Sequence, residues 1–326
     1  MAAYAVRGKG SRVLDPACGA GALLLAARAH DAGPCVGVEL DVDAVGVARR
    51  ELGGAVEVIH GDFLEQTADG LGGRFDAVVA NPPYLRHESL SRELKARMRE
   101  RFEAALGEPV AGRLDLLGFF LLHLTSFLRP GGRLAFLSSA AWLTSDYGRV
   151  LRRFLAREYR IDRVLESVAE PWFREARVRG VLVLARRDPH PPPRHAVAFL
   201  RLERPIRDSM ADAPRRVDTL DLADGASWGP HLRTPRLLEE VHRALPDSWA
   251  KLGEHARARF GLKTGADRFF VLRDGVDGFG RRWTGPQVAL RPFLLSPMEL
   301  DGLDVDPATL SRQLLVLDPE EPLDPQ

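Results

Sequence analysis

Over its first 187 or so residues the chain alternates short apolar runs with segments of helical period, a pattern that a parallel α/β sheet satisfies and few other architectures do. Strands are predicted at residues 12–15, 35–39, 56–60, 75–80, 132–138, 161–167 and 178–185. Helices are predicted between them at 22–32, 42–52, 89–106, 114–128 and 145–159. Arg129-Pro130-Gly131-Gly132 stops one helix and turns the chain into the next strand. The expectation is a Rossmann-like, seven-stranded and mostly parallel sheet, with its working residues on the loops at the carboxyl ends of the strands.

The pattern breaks at Asp188-Pro189-His190-Pro191-Pro192-Pro193, which reads as a stiff linker. Three parts are therefore expected: 1–187, a connecting segment 188–250, and a smaller α+β region 251–326. In the last two parts a helix is predicted at 234–245 and strands at 269–272 and 314–317. At 326 residues the chain holds enough apolar sequence for one large core and a smaller one.

Composition excludes several classes of function. The net charge of +1 gives no global pull toward a polyanion, so any nucleic-acid contact must come from local patches. Lysine occurs only at positions 9, 95, 251 and 263, so arginine supplies nearly all the positive charge. Cys18 and Cys35 make neither a metal-ligand pattern nor a disulfide framework, which fits a reducing, cytoplasmic setting. No signal peptide is read at the start, and the apolar run 114–128 is too short and too interrupted to span a bilayer. A soluble protein without a membrane partner and without a metal is expected.

The first predicted strand runs into Asp15-Pro16-Ala17-Cys18-Gly19-Ala20-Gly21 and then into a helix. Glycines there let the backbone approach a ligand closely, and the helix that follows aims amide N–H groups at the ligand's polar part. Such a loop alone also suits dinucleotides. Glu39 ends the next strand about twenty residues on, where a carboxylate can accept both ribose hydroxyls, with Leu40 beside it. After the third strand, Asp62-Phe63 is placed to bracket an adenine ring, Asp62 accepting from the amino group and Phe63 packing on the face. A second reading has Glu39 and Asp62 merely capping the helices that follow them. The candidate cofactor contacts are Asp15, Ala17, Gly19, Gly21, Glu39, Leu40, Asp62, Phe63 and Asn81.

Asn81-Pro82-Pro83-Tyr84 ends the fourth strand. The two prolines fix the backbone and remove two N–H donors, leaving carbonyl oxygens toward the site. That corner accepts hydrogen bonds and donates few, which suits an –NH2 group. The Asn81 side-chain oxygen and the Pro82 carbonyl can each take one hydrogen, drawing the nitrogen lone pair out of conjugation, and Tyr84 offers a flat surface for a planar group. The chemistry is methylation of an amide-like or aromatic amino nitrogen by S-adenosylmethionine, through positioning and electrostatics rather than a covalent intermediate. A nicotinamide cofactor is rejected because this corner has no role in hydride transfer.

In that order, DPACGAG, GVELD, GDF and NPPY resemble the N6-adenine DNA methyltransferases of the gamma arrangement, in their TaqI-like and type IIG restriction-modification branch. The likeness continues through Asp115-Leu116, through Leu128 to Gly132, and through Trp142-Leu143 and the 151–155 segment. Gly261 to Phe270 is similar to the segment that opens the TaqI-like target-recognition domain, so 251–326 is expected to be a partial copy of one. The resemblance implies a class I S-adenosylmethionine-dependent methyltransferase fold and, as substrate, a flipped-out adenine in double-stranded DNA. It also implies base stacking by Tyr84 and by Phe173, although by residue type Phe173 could equally be core. For the DNA backbone the stretch 149–187 carries eleven arginines against five acids, which a solvated helix face would also explain in part.

Family members usually carry a further segment ahead of the Gly-rich loop, and a longer recognition region, so the chain reads as shortened at both ends. Besides double-stranded DNA, a separate specificity or restriction subunit is a candidate partner, and an inactive or split remnant of a DNA methyltransferase is the alternative to an active enzyme. The rival enzyme is a protein N5-glutamine methyltransferase using the same NPPY corner. That family predicts a helical domain ahead of the loop and no large C-terminal extension, the reverse of this chain.

Overall fold

The computed structural model describes residues 1–83, 91–107, 109, 116–145, 147–170, 172, 179–192, 194–206, 215–221, 225–233, 240–241, 243–245, 250, 254, 262, 264–284, 288–296 and 306–317. Tyr84, Asp115 and Phe173, and most of the helix expected at 234–245, lie outside the described residues. The chain divides into two compact units, Met1–Ala244 and Leu245–Gln326.

The first unit is built on a nine-stranded sheet. Its strands are β1 (Val13–Asp15), β2 (Cys35–Glu39), β3 (Val56–His60), β4 (Phe75–Ala80), β5 (Leu128–Ser139), β6 (Tyr159–Ser167), β7 (Gly180–Arg187), β8 (Arg194–Leu202) and β9 (Arg215–Asp221). Their spatial order is β3-β2-β1-β4-β5-β7-β6-β8-β9. From β3 through β5 all neighbours are parallel, whereas β7 runs antiparallel between β5 and β6. The seven strands read from the sequence are all present. Two further strands fall within 188–250, the segment expected to be connecting: β8 pairs with β6, and β9 pairs with β8. Pro191 and Pro192 lie in the short connection from β7 to β8, after which an apolar run buries Val197, Phe199, Leu200 and Leu202.

Helices α2 (Ala22–Ala29), α3 (Val42–Leu52), α4 (Arg92–Leu106), α5 (Leu116–Thr125) and α6 (Gly148–Glu158) form where the sequence places helical period, and α1 (Ala2–Ala5) precedes β1. Local chemistry sets their ends. The Asp41 carboxylate accepts from the Asp43 and Ala44 amides to start α3, and the Ser91 hydroxyl accepts from the Leu94 amide to start α4. Gly107, with φ +69°, closes α4 in the left-handed conformation. α5 is buried on every face, as its near-absence of polar residues requires. The layer under β4 and β5 is rich in aromatic rings: Phe63, Phe102, Phe119, Phe120, Phe127 and Phe154 are all buried.

The second unit carries a three-stranded antiparallel sheet, β10 (Val271–Arg273), β12 (Arg312–Leu317) and β11 (Val288–Pro292), with β12 in the middle. The strand expected at 269–272 begins later than its composition suggests. Phe269 and Phe270 belong to a one-turn helix, Asp267–Phe270, entered through a turn in which the Thr264 hydroxyl donates to Asp267 and accepts from the Ala266 amide.

Candidate active site

In the first unit the strand order reverses at β1: β2 lies on one side and β4 on the other, all three parallel. An open sheet has its crevice at such a switch point, outside the carboxyl ends of the strands. Leu14 is registered with Val78, so the segments that leave β1 and β4, Asp15-Pro16 and Ala80-Asn81, emerge at the same edge. The two strongest sequence motifs therefore meet there.

The Gly-rich loop folds back over β2. The Cys18 amide donates to the Val38 carbonyl at 3.0 Å and the Gly21 amide to the Cys18 carbonyl at 2.8 Å. Gly37 makes this approach possible, because a Cβ there would sit 2.8 Å from both the Cys18 sulfur and a Leu24 methyl. Sequence reasoning passed over Gly37, although a glycine inside a strand pattern is a signal of close approach. The Cys18 thiol is pushed up to about 12 by burial and by the nearby charges of Asp15 and Glu39. It is a packing group here.

Glu39 holds the loop directly. One carboxylate oxygen accepts from the Gly19 amide at 2.8 Å, the other from the Asp41 amide at 2.9 Å. The capping alternative for Glu39 falls away, since Asp41 itself caps α3. Asp15 is 1 % exposed, and one of its oxygens accepts from the Ala17 amide at 3.2 Å. Its carboxyl is raised to about 7, first by burial and further by Glu39, with the Ala17 hydrogen bond opposing.

Leu40, next to Glu39, is 63 % exposed, and over Gly19 (φ +52°) nothing lies within 4 Å of where a Cβ would be. An exposed apolar side chain next in sequence to a carboxylate, and a glycine with free space above it, leave room for a nucleoside-sized group. Each Glu39 oxygen keeps a further lone pair for a hydroxyl donor. These residues suit the adenosine part of S-adenosylmethionine.

Asp62 takes the capping role that was its second reading. Its carboxylate accepts from the Leu64 amide at 2.8 Å and so caps the short 3-10 turn Phe63–Glu65. Phe63 departs from the expectation. Its ring is 3 % exposed and packs on Phe120, His123 and Phe127, with centroids 4.9–5.1 Å away. It supports the turn from below rather than offering an open face. The driving force is the apolar layer beneath it, which a one-dimensional reading does not reveal.

His123 is a site-adjacent residue that the sequence did not single out. One ring nitrogen lies 3.0 Å from the Gln66 carbonyl and the other 3.1 Å from an Arg101 guanidinium nitrogen. Burial, and then Arg101, push it down to about 4, so it is neutral at ordinary pH. A cavity of about 980 Å³ opens beside Gln66, Arg97, Arg101 and His123; neither the Gly-rich loop nor Asn81 lines it, so it is not the crevice at the switch point.

At the end of β4, Pro82 is buried while Asn81 and Pro83 are exposed, which presents the asparagine at the crevice edge. Tyr84 and Phe173 lie outside the described residues. Four of the eleven arginines in the arginine-rich stretch are held by partners inside the first unit. Arg152 is buried and donates to the Trp142, Ser145 and Gly225 carbonyls; Arg157 donates to the Leu106 carbonyl. Arg186 pairs with Asp162, and Arg187 with Glu158. Arg174 and Arg177 are outside the described residues. Among the described residues no group of three His, Cys, Asp or Glu is placed to hold a metal ion, and no helix is long and apolar enough to cross a membrane.

Residues 49–173 match the family model described as "Eco57I restriction-modification methylase". A type II methyltransferase of Thermus thermophilus, M.TthHB8I, is 36 % identical over 171 residues, covering 50 % of this chain and 37 % of its own length. The type II methyltransferase M.XamI of Xanthomonas campestris pv. amaranthicola is 27 % identical over 334 aligned positions, covering 97 % of this chain and 58 % of its own. The type IIG restriction endonuclease BpuSI superposes with a TM-score of 0.55 at 18 % identity, over 81 % of this chain and 35 % of that one. The chain thus spans between about a third and three fifths of these relatives. The resemblance to restriction-modification methylases read from the motifs is borne out. So are the expected fold, that of the class I S-adenosylmethionine-dependent methyltransferases, and S-adenosylmethionine as the cofactor.

Proposed function

We propose, for a chain with the fold and cofactor of the class I S-adenosylmethionine-dependent methyltransferases, that it methylates the N6 amino group of an adenine flipped out of double-stranded DNA. The observation that carries this reading is the placement of Asn81-Pro82-Pro83 at the carboxyl end of β4, one strand away from the loop held by Glu39. S-adenosylmethionine supplies the methyl group from its sulfonium. The residues of this chain do the rest by position. Asp15, Ala17, Gly19 and Gly21 form the loop against the cofactor's polar end, Glu39 takes the ribose, and Leu40 takes one face of the adenine. Asp62 takes its amino group, with Phe63 fixing the turn from beneath.

On the acceptor side, the Asn81 side-chain oxygen and the Pro82 carbonyl accept the two hydrogens of the target amino group. Pro82 and Pro83 contribute no amide donors that would compete. The lone pair is thereby freed from the ring and aimed across the edge between β4 and β1. Reaching N6 requires the base to leave the stack, at about a few kcal/mol. Stacking on Tyr84 and Phe173, at roughly 1–3 kcal/mol per contact, is of the size needed to offset it. The reading includes action in the cytoplasm, alone or with a separate specificity or restriction subunit.

The test is incubation with methyl-labelled cofactor and mixed-sequence duplex DNA, followed by nucleoside analysis. Label in N6-methyladenine is the expected result. Label confined to cytosine, or to a glutamine side chain of an added protein substrate, would overturn the assignment of the acceptor.

A further inference from the structure

The second unit contains a turn far more tightly held than its surface position requires. Between β10 and Trp283 the chain reads Asp274-Gly275-Val276-Asp277-Gly278-Phe279-Gly280-Arg281-Arg282. Asp277 organises it from inside. One carboxylate oxygen accepts from the Phe279 and Arg281 amides, each at 2.9 Å, and the other accepts from the Trp283 indole N–H at 2.9 Å. The Asp277 amide donates to the Arg281 carbonyl at 3.0 Å. These donors, the indole first, hold the carboxyl below its usual range. The turn is also fastened to the preceding one-turn helix. The Gly278 amide donates to the Arg268 carbonyl at 2.6 Å, and a Cβ at Gly278 would meet that oxygen at 2.9 Å. Gly280, at φ +83°, completes the reversal.

What the turn displays is a phenylalanine in water. Phe279 is 67 % exposed, with the Arg268 guanidinium 4.7 Å from its ring centre. Arg281 and Arg282 follow it on the same tip, both exposed; Arg282 donates to the Asp274 carbonyl, so its guanidinium is held in place. An exposed aromatic ring with one guanidinium against it, and two more arginines next to it in the chain, is complementary to a surface that is anionic and also has flat or apolar faces. Nucleic acid has both, in its phosphates and in its sugars and bases. A carboxylate committed wholly to internal bonds keeps the turn rigid without presenting its own charge outward.

We propose that this Asp277-knotted turn is a DNA-contacting element of the second unit, with Arg281 and Arg282 on phosphates and Phe279 against the sugar or base faces between them. The inference rests on the reading of the chain as a DNA methyltransferase and adds to it residues that no sequence motif marked.

The experiment uses the full chain and a fluorescently labelled mixed-sequence duplex, with anisotropy titrations at several salt concentrations. Phe279→Ala, at an exposed tip, should weaken binding about tenfold. Replacing Arg281 and Arg282 together by Gln should flatten the log K against log salt slope by roughly 0.9 for each phosphate contact removed. Asp277→Asn separates a built contact from a diffuse charge effect. It makes the chain more positive, so a purely electrostatic surface would bind more tightly, whereas loosening of the turn weakens binding. Cofactor affinity by calorimetry should stay at the parent value in all of them. Parent-like affinity and slope in the Phe279 and arginine variants, or tighter binding by Asp277→Asn, overturns the proposal while DNA methylation by the parent stands. A parent chain that does not bind duplex DNA overturns both.

Discussion

On the cofactor side of the crevice, amides and carboxylates are already joined to one another: Gly19 and Asp41 to Glu39, Ala17 to Asp15, Leu64 to Asp62. On the acceptor side, one strand over, the chain turns into two prolines and brings carbonyls without amides. The first half is ordered by its own hydrogen bonds before any ligand arrives. In the proposed reading, the second receives the donor hydrogens of the target amino group. A site divided in this way should respond to mutation in two distinct currencies, with turnover lost on one side and affinity or stability lost on the other.

The largest effect is expected at Asn81. In Asn81→Ala one of two acceptors for the amino group disappears from a position where charge develops, and kcat should fall by about 10²–10³-fold. Cofactor affinity, measured by calorimetry, should remain near the parent's. A comparable loss of cofactor affinity would mean that the two halves are not separate and that Asn81 belongs to the ordered network.

Asp15 comes next, and its effect is on stability. Its folded-state value of about 7 lies above the ordinary carboxyl value, so the folded chain holds a proton that the unfolded chain releases. The stabilisation from that proton is fully present below pH ~4 and is lost as pH rises through about 7. Asp15→Asn keeps an acceptor for the Ala17 amide and removes the titration. The variant should gain on the parent across that window, by up to about 4 kcal/mol at pH values above it. His123, which is lowered to about 4, pulls the other way, losing stability as pH falls. It is present in both chains, so it cancels in the difference. Thermal unfolding of both proteins from pH 4 to 8 would show a widening gap; a constant gap would place Asp15 outside the low-dielectric site described above.

Glu39→Ala should lower cofactor affinity by about 10- to 100-fold, the range of one or two charge-assisted hydrogen bonds. Turnover at saturating cofactor should change much less. Equal affinity in parent and variant would remove Glu39 from the ribose and leave it only the role of holding Gly19.

These sites differ in how legible they were. The sheet from β1 to β7 could be read because each strand carries a short apolar run or an apolar alternation bounded by turn residues. The same rule, applied evenly, would have found β8, whose Ala196-Val197-Ala198-Phe199-Leu200 run was overshadowed by the prolines just before it. Asp15, Glu39 and Asn81 were legible because short loops fix their positions relative to strand ends. Phe63 was only half legible: its backbone lies where expected, while its ring follows the aromatic layer assembled from α5 and the residues after it. Gly37 and His123 depend on what packs against them from elsewhere in the chain. Four arginines of 149–187 have roles that were hidden for a related reason. A guanidinium on a helix or strand edge finds carbonyls and carboxylates within its own unit first, as Arg152, Arg157, Arg186 and Arg187 do.

The finest comparison lies within the Gly-rich loop. Gly21 has φ +88°, and a Cβ there would meet Leu52 side-chain atoms at 2.5 and 2.9 Å. Gly21→Ala combines backbone strain with displacement of a flexible leucine tip, and should destabilise the fold by about 1–2 kcal/mol. Gly19→Ala meets no protein atom within 4 Å and carries only the left-handed backbone cost, about 1 kcal/mol. Its methyl group would stand in the space assigned to the cofactor. Gly19→Ala should therefore be the more stable of the two variants and yet the weaker binder of S-adenosylmethionine. If calorimetry ranks their affinities the other way, the cofactor does not lie over Gly19, and the free space there belongs to the acceptor side of the crevice instead.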